Sequence, residues 1–337
     1  MASTKDDPDR ASLLPTHNAP VTRAKKEEDA ATKASALMSL VMYSSCSIGM
    51  VLANKAISMS LDEAVRPRIP AVACVMYQAI VAVVLVEGAK MMRWVEYSSF
   101  QVDIAKKWLP CNILFVSMLC TGFMALRFVS VPMVTIFKNM SNLITVTGDY
   151  LIFGQPISWL TIISVLIMVL GAVMSAFNDI EFDSYGYFWM IANCVCTASY
   201  SLYMRYATTN VNLSKWGMVF YNNLLSIFLL LPLSLFLGEF MAFSDPEIMT
   251  PWFIFCNTLA GFLGFYLNFA VVWAISATSA TTYAIVGSLN KIPLAIFGAM
   301  MFGTVITQEG MIFIAMGILG GLLYAYSKLV ERGAFGR

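Results

Sequence analysis

Ten apolar stretches, most of them 20 to 25 residues long, dominate the chain and leave little else to fold. Their limits are 37–57, 69–91, 108–128, 132–153, 157–178, 184–206, 213–238, 249–275, 278–302 and 306–328. About 20 apolar residues in a helix cross the hydrocarbon core of a bilayer. Within that core only helices and closed barrels satisfy every backbone polar group. The stretches are too long and too uniformly apolar for barrel strands, so the predicted fold class is an all-α polytopic membrane protein with ten transmembrane helices. Charged residues make up only 12% of the chain, against roughly a quarter in soluble domains. Connections as short as GQP at 154–156 make neighbouring helices tight hairpins.

Orientation follows from lysine and arginine in the connections. With a cytosolic amino terminus, fifteen of the 21 fall in cytosolic segments, at 1–36, 90–107, 205–215 and 328–337. Four, namely Lys55, Arg66, Arg68 and Arg127, go to the other side, and Lys138 and Lys291 remain inside spans. Both termini are therefore expected in the cytosol. The sequons at Asn139 and Asn212 lie in a span and in a cytosolic loop, so neither is expected to carry glycan; glycan on Asn212, read by a glycosidase shift on gels, would invert this orientation.

Residues 1–36 are polar, have no cleavable signal pattern, and are expected to form a disordered cytosolic tail. A net charge of +1 gives no general attraction to nucleic acid. The seven cysteines, at 46, 74, 111, 120, 194, 196 and 256, sit in apolar stretches without metal-ligand spacing and read as unpaired thiols. His17, the one histidine, lies in the tail, which removes histidine chemistry from the spans. No cofactor or metal is expected.

An offset of 149 residues relates two halves. Phe153-Gly154 matches Phe302-Gly303, Ile157-Ser158 matches Ile306-Thr307, and Gly171 matches Gly320. The expected units are 37–178 and 179–328, five spans each, followed by a cytosolic tail at 329–337. An odd number of spans inverts the second half relative to the first, an architecture of many secondary transporters.

Lys138 and Lys291 each cost roughly 2.5–3.5 kcal/mol near a bilayer centre. Two readings are open. Internal carboxylates such as Asp149 neutralise them, or they face a water-filled cavity and bind an anion. Polar residues recur at helical spacing around them: Tyr43, Ser47, Met50 and Asn54; Lys138, Asn142, Thr145 and Asp149; Asn257, Gly261, Gly264 and Asn268; Tyr283, Gly287, Asn290 and Lys291. A single stripe of this kind reads as helix-packing glue; four with two lysines favour a polar lumen. FYNN at 220–223 adds Tyr221, Asn222 and Asn223, carboxamides and a ring suited either to a nucleobase or to interhelical bonds.

At FKNM (137–140), FYNN (220–223) and GSLNK (287–291) the chain resembles the Golgi nucleotide-sugar transporters of the drug/metabolite transporter superfamily, and among them the GDP-mannose transporter family. The resemblance covers all ten spans. It implies two inverted five-helix repeats, residence in the Golgi membrane, and exchange of a cytosolic GDP-sugar such as GDP-mannose for luminal GMP. It implies that Asn222 and Asn223 contact guanine, that Gly287, Asn290 and Lys291 line the sugar and phosphate end with Tyr283 one turn earlier, and that Tyr43 lies on the sugar side. Lys138 and its neighbour Asn139 are expected to support the same field. Ser288 stands where the family has alanine, and Asn268 where the fungal members have a base-contacting serine. The expected partners are a GDP-sugar, GMP and the bilayer, with a homodimer left open. A carrier of another phosphorylated anion, a UDP-sugar or triose phosphate, is the alternative; a polytopic glycosyltransferase would rest on the acidic run Asp179, Glu181 and Asp183, which reads better as a solvated loop.

Overall fold

The computed structural model describes residues 19–59, 69–154, 156–211, 213–278, 286–287, 289–304 and 306–335. Among them run ten α-helices: α1 Ala19–Met59, α2 Ala71–Met91, α3 Val102–Phe128, α4 Val131–Phe153, α5 Trp159–Phe177, α6 Ser184–Asn210, α7 Lys215–Phe236, α8 Pro251–Ala277, α9 Lys291–Phe302 and α10 Gln308–Phe335. Seven are long and apolar enough to cross a membrane on their own. The chain is an all-helical, multi-pass membrane protein. We call the side holding the start of α1 and the end of α10 the terminal face, and the other the far face.

Local chemistry sets the helix ends. Ser158, Asp183, Ser214 and Thr250 each accept a backbone N–H from the first turn of the following helix, at 2.6 to 3.2 Å; such caps contribute about 1 kcal/mol apiece. Gly154 and Gly303 end α4 and α9 in the left-handed region, at φ 62° and 61°, a conformation that glycine adopts without steric cost.

The outer surface is apolar. Leu166 and Leu170 on α5 and Phe228 on α7 are more than half exposed. Trp94 and Trp159 on the terminal side and Trp252 on the far side stand exposed near the helix ends, where aromatic side chains favour the headgroup zone. Inside, α5 packs on α10, α1 on α8, α3 on α6, α2 on α7 and α8, and α4 on α6 and α9.

Three features go beyond what the limits of the apolar stretches give. Helix α1 begins at Ala19, upstream of the stretch that starts at 37, and takes in residues 19–36. They are rich in alanine, lysine and glutamate, good helix formers, and extend a helix already nucleated by the membrane span. Helix α10 likewise continues to Phe335, beyond the span end at 328. Finally, Lys55 and Arg127 are not far-side loop charges. Lys55 lies within α1, 6% exposed, and its ammonium donates to the Leu126 and Val129 carbonyls at 2.8 and 2.9 Å. It satisfies carbonyls that the end of α3 leaves without helical partners. Arg127 sits in the last turn of α3, 5% exposed.

Candidate functional site

The centre of the bundle is organised by Asn139. It is fully buried on α4; its amide donates to the Gly317 carbonyl of α10 at 3.1 Å, and its oxygen accepts from the Lys291 ammonium of α9. One carboxamide thus joins three helices. Gly321 makes room for it, since a Cβ there would stand 3.3 Å from the Asn139 oxygen.

Next to Asn139, Lys138 breaks a run of buried residues from 131 to 139 by being exposed, although it lies seven residues inside the helix. The Lys138 and Lys291 charges act on one another, and among the described residues neither has a carboxylate partner. Asp149 is committed elsewhere: it pairs with Arg205 of α6 at 2.8 Å, and that guanidinium lies over the Phe153 ring. Of the two readings open for the lysines, neutralisation by Asp149 does not hold in this structure.

Asn290 precedes Lys291 at the start of α9. Its N–H reaches back to the Val286 carbonyl at 2.8 Å, and Leu294 in turn donates to Asn290 at 3.1 Å. Pro293 falls in this first turn, where its missing N–H breaks no helical bond. The Asn290 side chain is 7% exposed and its amide nitrogen has no acceptor. An unpaired amide therefore precedes one of two neighbouring ammonium groups in the chain, and among the described residues no carboxylate receives these donors. Donors in such an arrangement suit an oxyanion.

Tyr43 on α1 is buried with Ala270 and Ala274 of α8 and reaches Gly287, ahead of α9. A Cβ on Gly287 would come within 2.9 Å of the Tyr43 hydroxyl, so the glycine is what lets the phenol approach. Tyr283 and Ser288 lie outside the described residues.

The polar residues of α7 divide by role. Tyr221 is completely buried, its hydroxyl accepting the Gln101 N–H at 2.8 Å, with Phe100 stacked on its ring; it offers no face to a ligand here. Asn222 is also spent on the fold: its oxygen accepts from Trp108 at 2.8 Å and its amide donates to the Tyr200 hydroxyl at 3.2 Å. Asn223, half-buried, uses its amide on the Val219 carbonyl and keeps its oxygen without a partner. Successive residues on a helix point about 100° apart, so one of the pair packs inward while the other looks out.

Asn268 on α8 is exposed, with its amide on the Gly264 carbonyl and its oxygen open. In two stripes the glue reading holds instead: Gln78 of α2 donates to Asn54 of α1 and to Asn257 of α8 at 3.0 and 2.9 Å. Two of the acidic run hold local structure, Asp179 accepting from Tyr187 and Asp183 capping α6 through one oxygen, while Glu181 stands exposed.

The Triose-phosphate Transporter family matches residues 34–325. The GDP-mannose transporter GONST1 of Arabidopsis thaliana is 34% identical over 305 residues, covering 88% of this chain and 90% of its own. A GDP-mannose transporter of Yarrowia lipolytica is 32% identical over 318 residues, covering 89% and 96%. A crystal structure with 14% identity superposes with a TM-score of 0.51 over 91% of this chain and 99% of its own, a likeness of fold alone. Membership reaches across all ten helices: the chain is a membrane transporter rather than an enzyme, and it belongs to the Triose-phosphate Transporter family.

Proposed function

We infer that the chain is a nucleotide-sugar antiporter that exchanges a cytosolic GDP-sugar, GDP-mannose first among them, for luminal GMP in the Golgi membrane, with both termini in the cytosol. The observation that carries this reading is the donor cluster of Lys138, Asn290 and Lys291, unbalanced by any carboxylate among the described residues. The names of relatives 32 to 34% identical to this chain point to the same cargo.

In this reading Lys291, steered by Asn139, holds the phosphates, and Lys138 adds to the field. Tyr43 and Gly287 shape the sugar end, joined by Tyr283 and Ser288. Asn223 and Asn268 offer free carboxamide oxygens to the N–H edge of guanine, while Asn222 and Tyr221 position α7 behind them. Without an anion two like charges stand close together with no carboxylate partner among the described residues, which disfavours reorientation of the empty carrier and couples the two half-reactions.

The helix contacts support inverted repeats. Exchanging each helix with the one five places along turns the α1–α8 contact into α6–α3, α2–α8 into α7–α3, and α4–α6 into α9–α1, all of which occur. The same operation maps α2–α7, α4–α9 and α5–α10 onto themselves. The matched ends of α4 and α9 share one geometry, ψ 24° and 29° beside nearly equal φ.

Proteoliposomes loaded with GMP should take up labelled GDP-mannose, and empty vesicles should not; equal uptake in both would sink the exchange. Asn223→Ala should narrow the preference for GDP- over UDP- and CMP-sugars about tenfold, the worth of one hydrogen bond to a desolvated group. Unchanged preference in a competition panel would remove Asn223 from the base site. The same panel, with triose phosphate added, tests the other cargo suggested by the family description.

A further inference from the structure

On the far face, outward of the central lysines, the ends of α1 and α3 and the α5–α6 connection border an open cavity of about 590 Å³, lined by Lys55, Arg127, Ser130, Glu181, Asp183 and Thr304 among others. That volume lies within the roughly 300–1,000 Å³ of small-molecule sites. Arg127 is 5% exposed, and its one hydrogen bond runs from Nη1 to the Met124 sulfur at 3.2 Å, a weak acceptor. Its Nε and Nη2 have no partner. These two nitrogens form the side-on edge of the guanidinium, whose parallel N–H bonds match two oxygens of a phosphate or carboxylate.

Among the described residues none supplies such oxygens to that edge. Glu239, whose charge acts on Arg127, accepts the Val72 and Ala73 N–H groups at 2.7 and 3.0 Å. Asp183 accepts the Gly186 N–H, and Glu181 stands exposed in its loop. Neither pairs with Arg127 in this structure. Both nitrogens are shielded from solvent in this structure, and leaving a guanidinium edge buried and unpaired is costly; a small swing of the side chain into the cavity it lines would present the edge to a ligand. The Glu181 and Asp183 carboxylates in the same cavity suit a ligand that also offers donors, as guanine does through N1–H and its amino group or ribose through its diol. Lys138 lies eight residues along α4 from Ser130, about 12 Å further in at 1.5 Å per residue.

We propose that this vestibule is a second nucleotide site, in which the Nε/Nη2 edge of Arg127 takes the phosphate of GMP before it passes to the central lysines. The proposal rests on the antiporter reading for its ligand. Two measurements separate its failure from the failure of that reading. In proteoliposomes of known orientation, Arg127→Gln should raise the half-saturating GMP concentration at the far face at least tenfold, with half-saturation by GDP-mannose at the terminal face unchanged. Arg127→Lys, which keeps the charge and loses the fork, should fall between and serves if the glutamine variant does not fold. Exchange that persists with unchanged GMP saturation in these variants overturns the vestibule and leaves the antiporter standing. Equilibrium binding of labelled GMP to purified protein lacking both central lysines (Lys138→Ala with Lys291→Ala) needs no transport. A weaker class of binding should remain there, be competed poorly by inorganic phosphate, and vanish when Arg127→Gln is added. No remaining binding, or binding indifferent to Arg127, refutes the site.

Discussion

Lys291→Ala is expected to cut GMP-driven uptake of GDP-mannose at least 100-fold while leaving the protein folded and no less stable. Removing one partner of a desolvated, hydrogen-bonded charge pair costs about 2–5 kcal/mol of binding, and 2.8 kcal/mol is about 100-fold. Stability should move the other way or not at all. Among the described residues Lys291 has the neutral Asn139 oxygen as its hydrogen-bond partner, beside the like charge of Lys138. Deleting it removes an uncompensated charge from the bundle, and Asn139 keeps its bond to Gly317. A lysine present for the fold would give the opposite pattern. Thermal unfolding of the detergent-purified variant, followed by size-exclusion recovery, therefore belongs beside the uptake assay. A marked drop in melting temperature, or uptake within a few-fold of the parent, would each remove Lys291 from the phosphate site. Lys291→Arg should retain partial activity, because it keeps the charge but not the compact ammonium geometry.

The membrane spans were legible, and the two lysines stood out, because hydrophobic thickness and the cost of a buried ammonium act locally, within one helix. Much of the rest depends on which neighbour a side chain meets. Stripe residues Asn54 and Asn257 have the spacing of a lumen, yet Gln78 joins them across helices, a partner no single-helix pattern contains. Tyr221 and Asn222 belong to the polar run FYNN, but α7 turns both into the core and leaves Asn223 facing out. Arg127 was visible only as a charge at the end of a span, where it counts toward orientation. Its orphaned edge emerges from the corner between α3 and α4 and from the commitment of nearby carboxylates to helix caps. The Phe-Gly repeat, by contrast, was readable because a left-handed helix end selects glycine wherever it occurs.

Gly171→Leu should give the largest loss of stability among single substitutions in the bundle, with no specific change in cargo preference in whatever protein survives. Helices α5 and α10 meet backbone to backbone. A Cβ on Gly171 would lie 2.7 Å from the Gly317 nitrogen and 2.8 Å from its Cα, and one on Gly320 would lie 2.9 Å from the Met168 nitrogen. Backbone atoms cannot swing aside as a side-chain tip can, so the helices must separate along the whole seam. Overpacking of this kind costs about 1–3 kcal/mol even where side chains can adjust, and contacts between small residues are a principal source of helix association in lipid. Even Gly171→Ala should lower the melting temperature measurably. Gly88→Ala is the matched control: nothing lies within 4 Å of a Cβ there, so the change should be neutral or stabilise the protein by up to about 1 kcal/mol through helix propensity. If Gly171→Ala melts no lower than Gly88→Ala, the seam is not rigid. That result would also bear on transport, because α5 and α10 are one of the pairs that the proposed two-fold maps onto itself. In a carrier of the proposed kind, helices held together at Gly171 and Gly320 would give two rocking halves a fixed line, and Asn139, bonded to Gly317 on that same line, would keep Lys291 in register as they move.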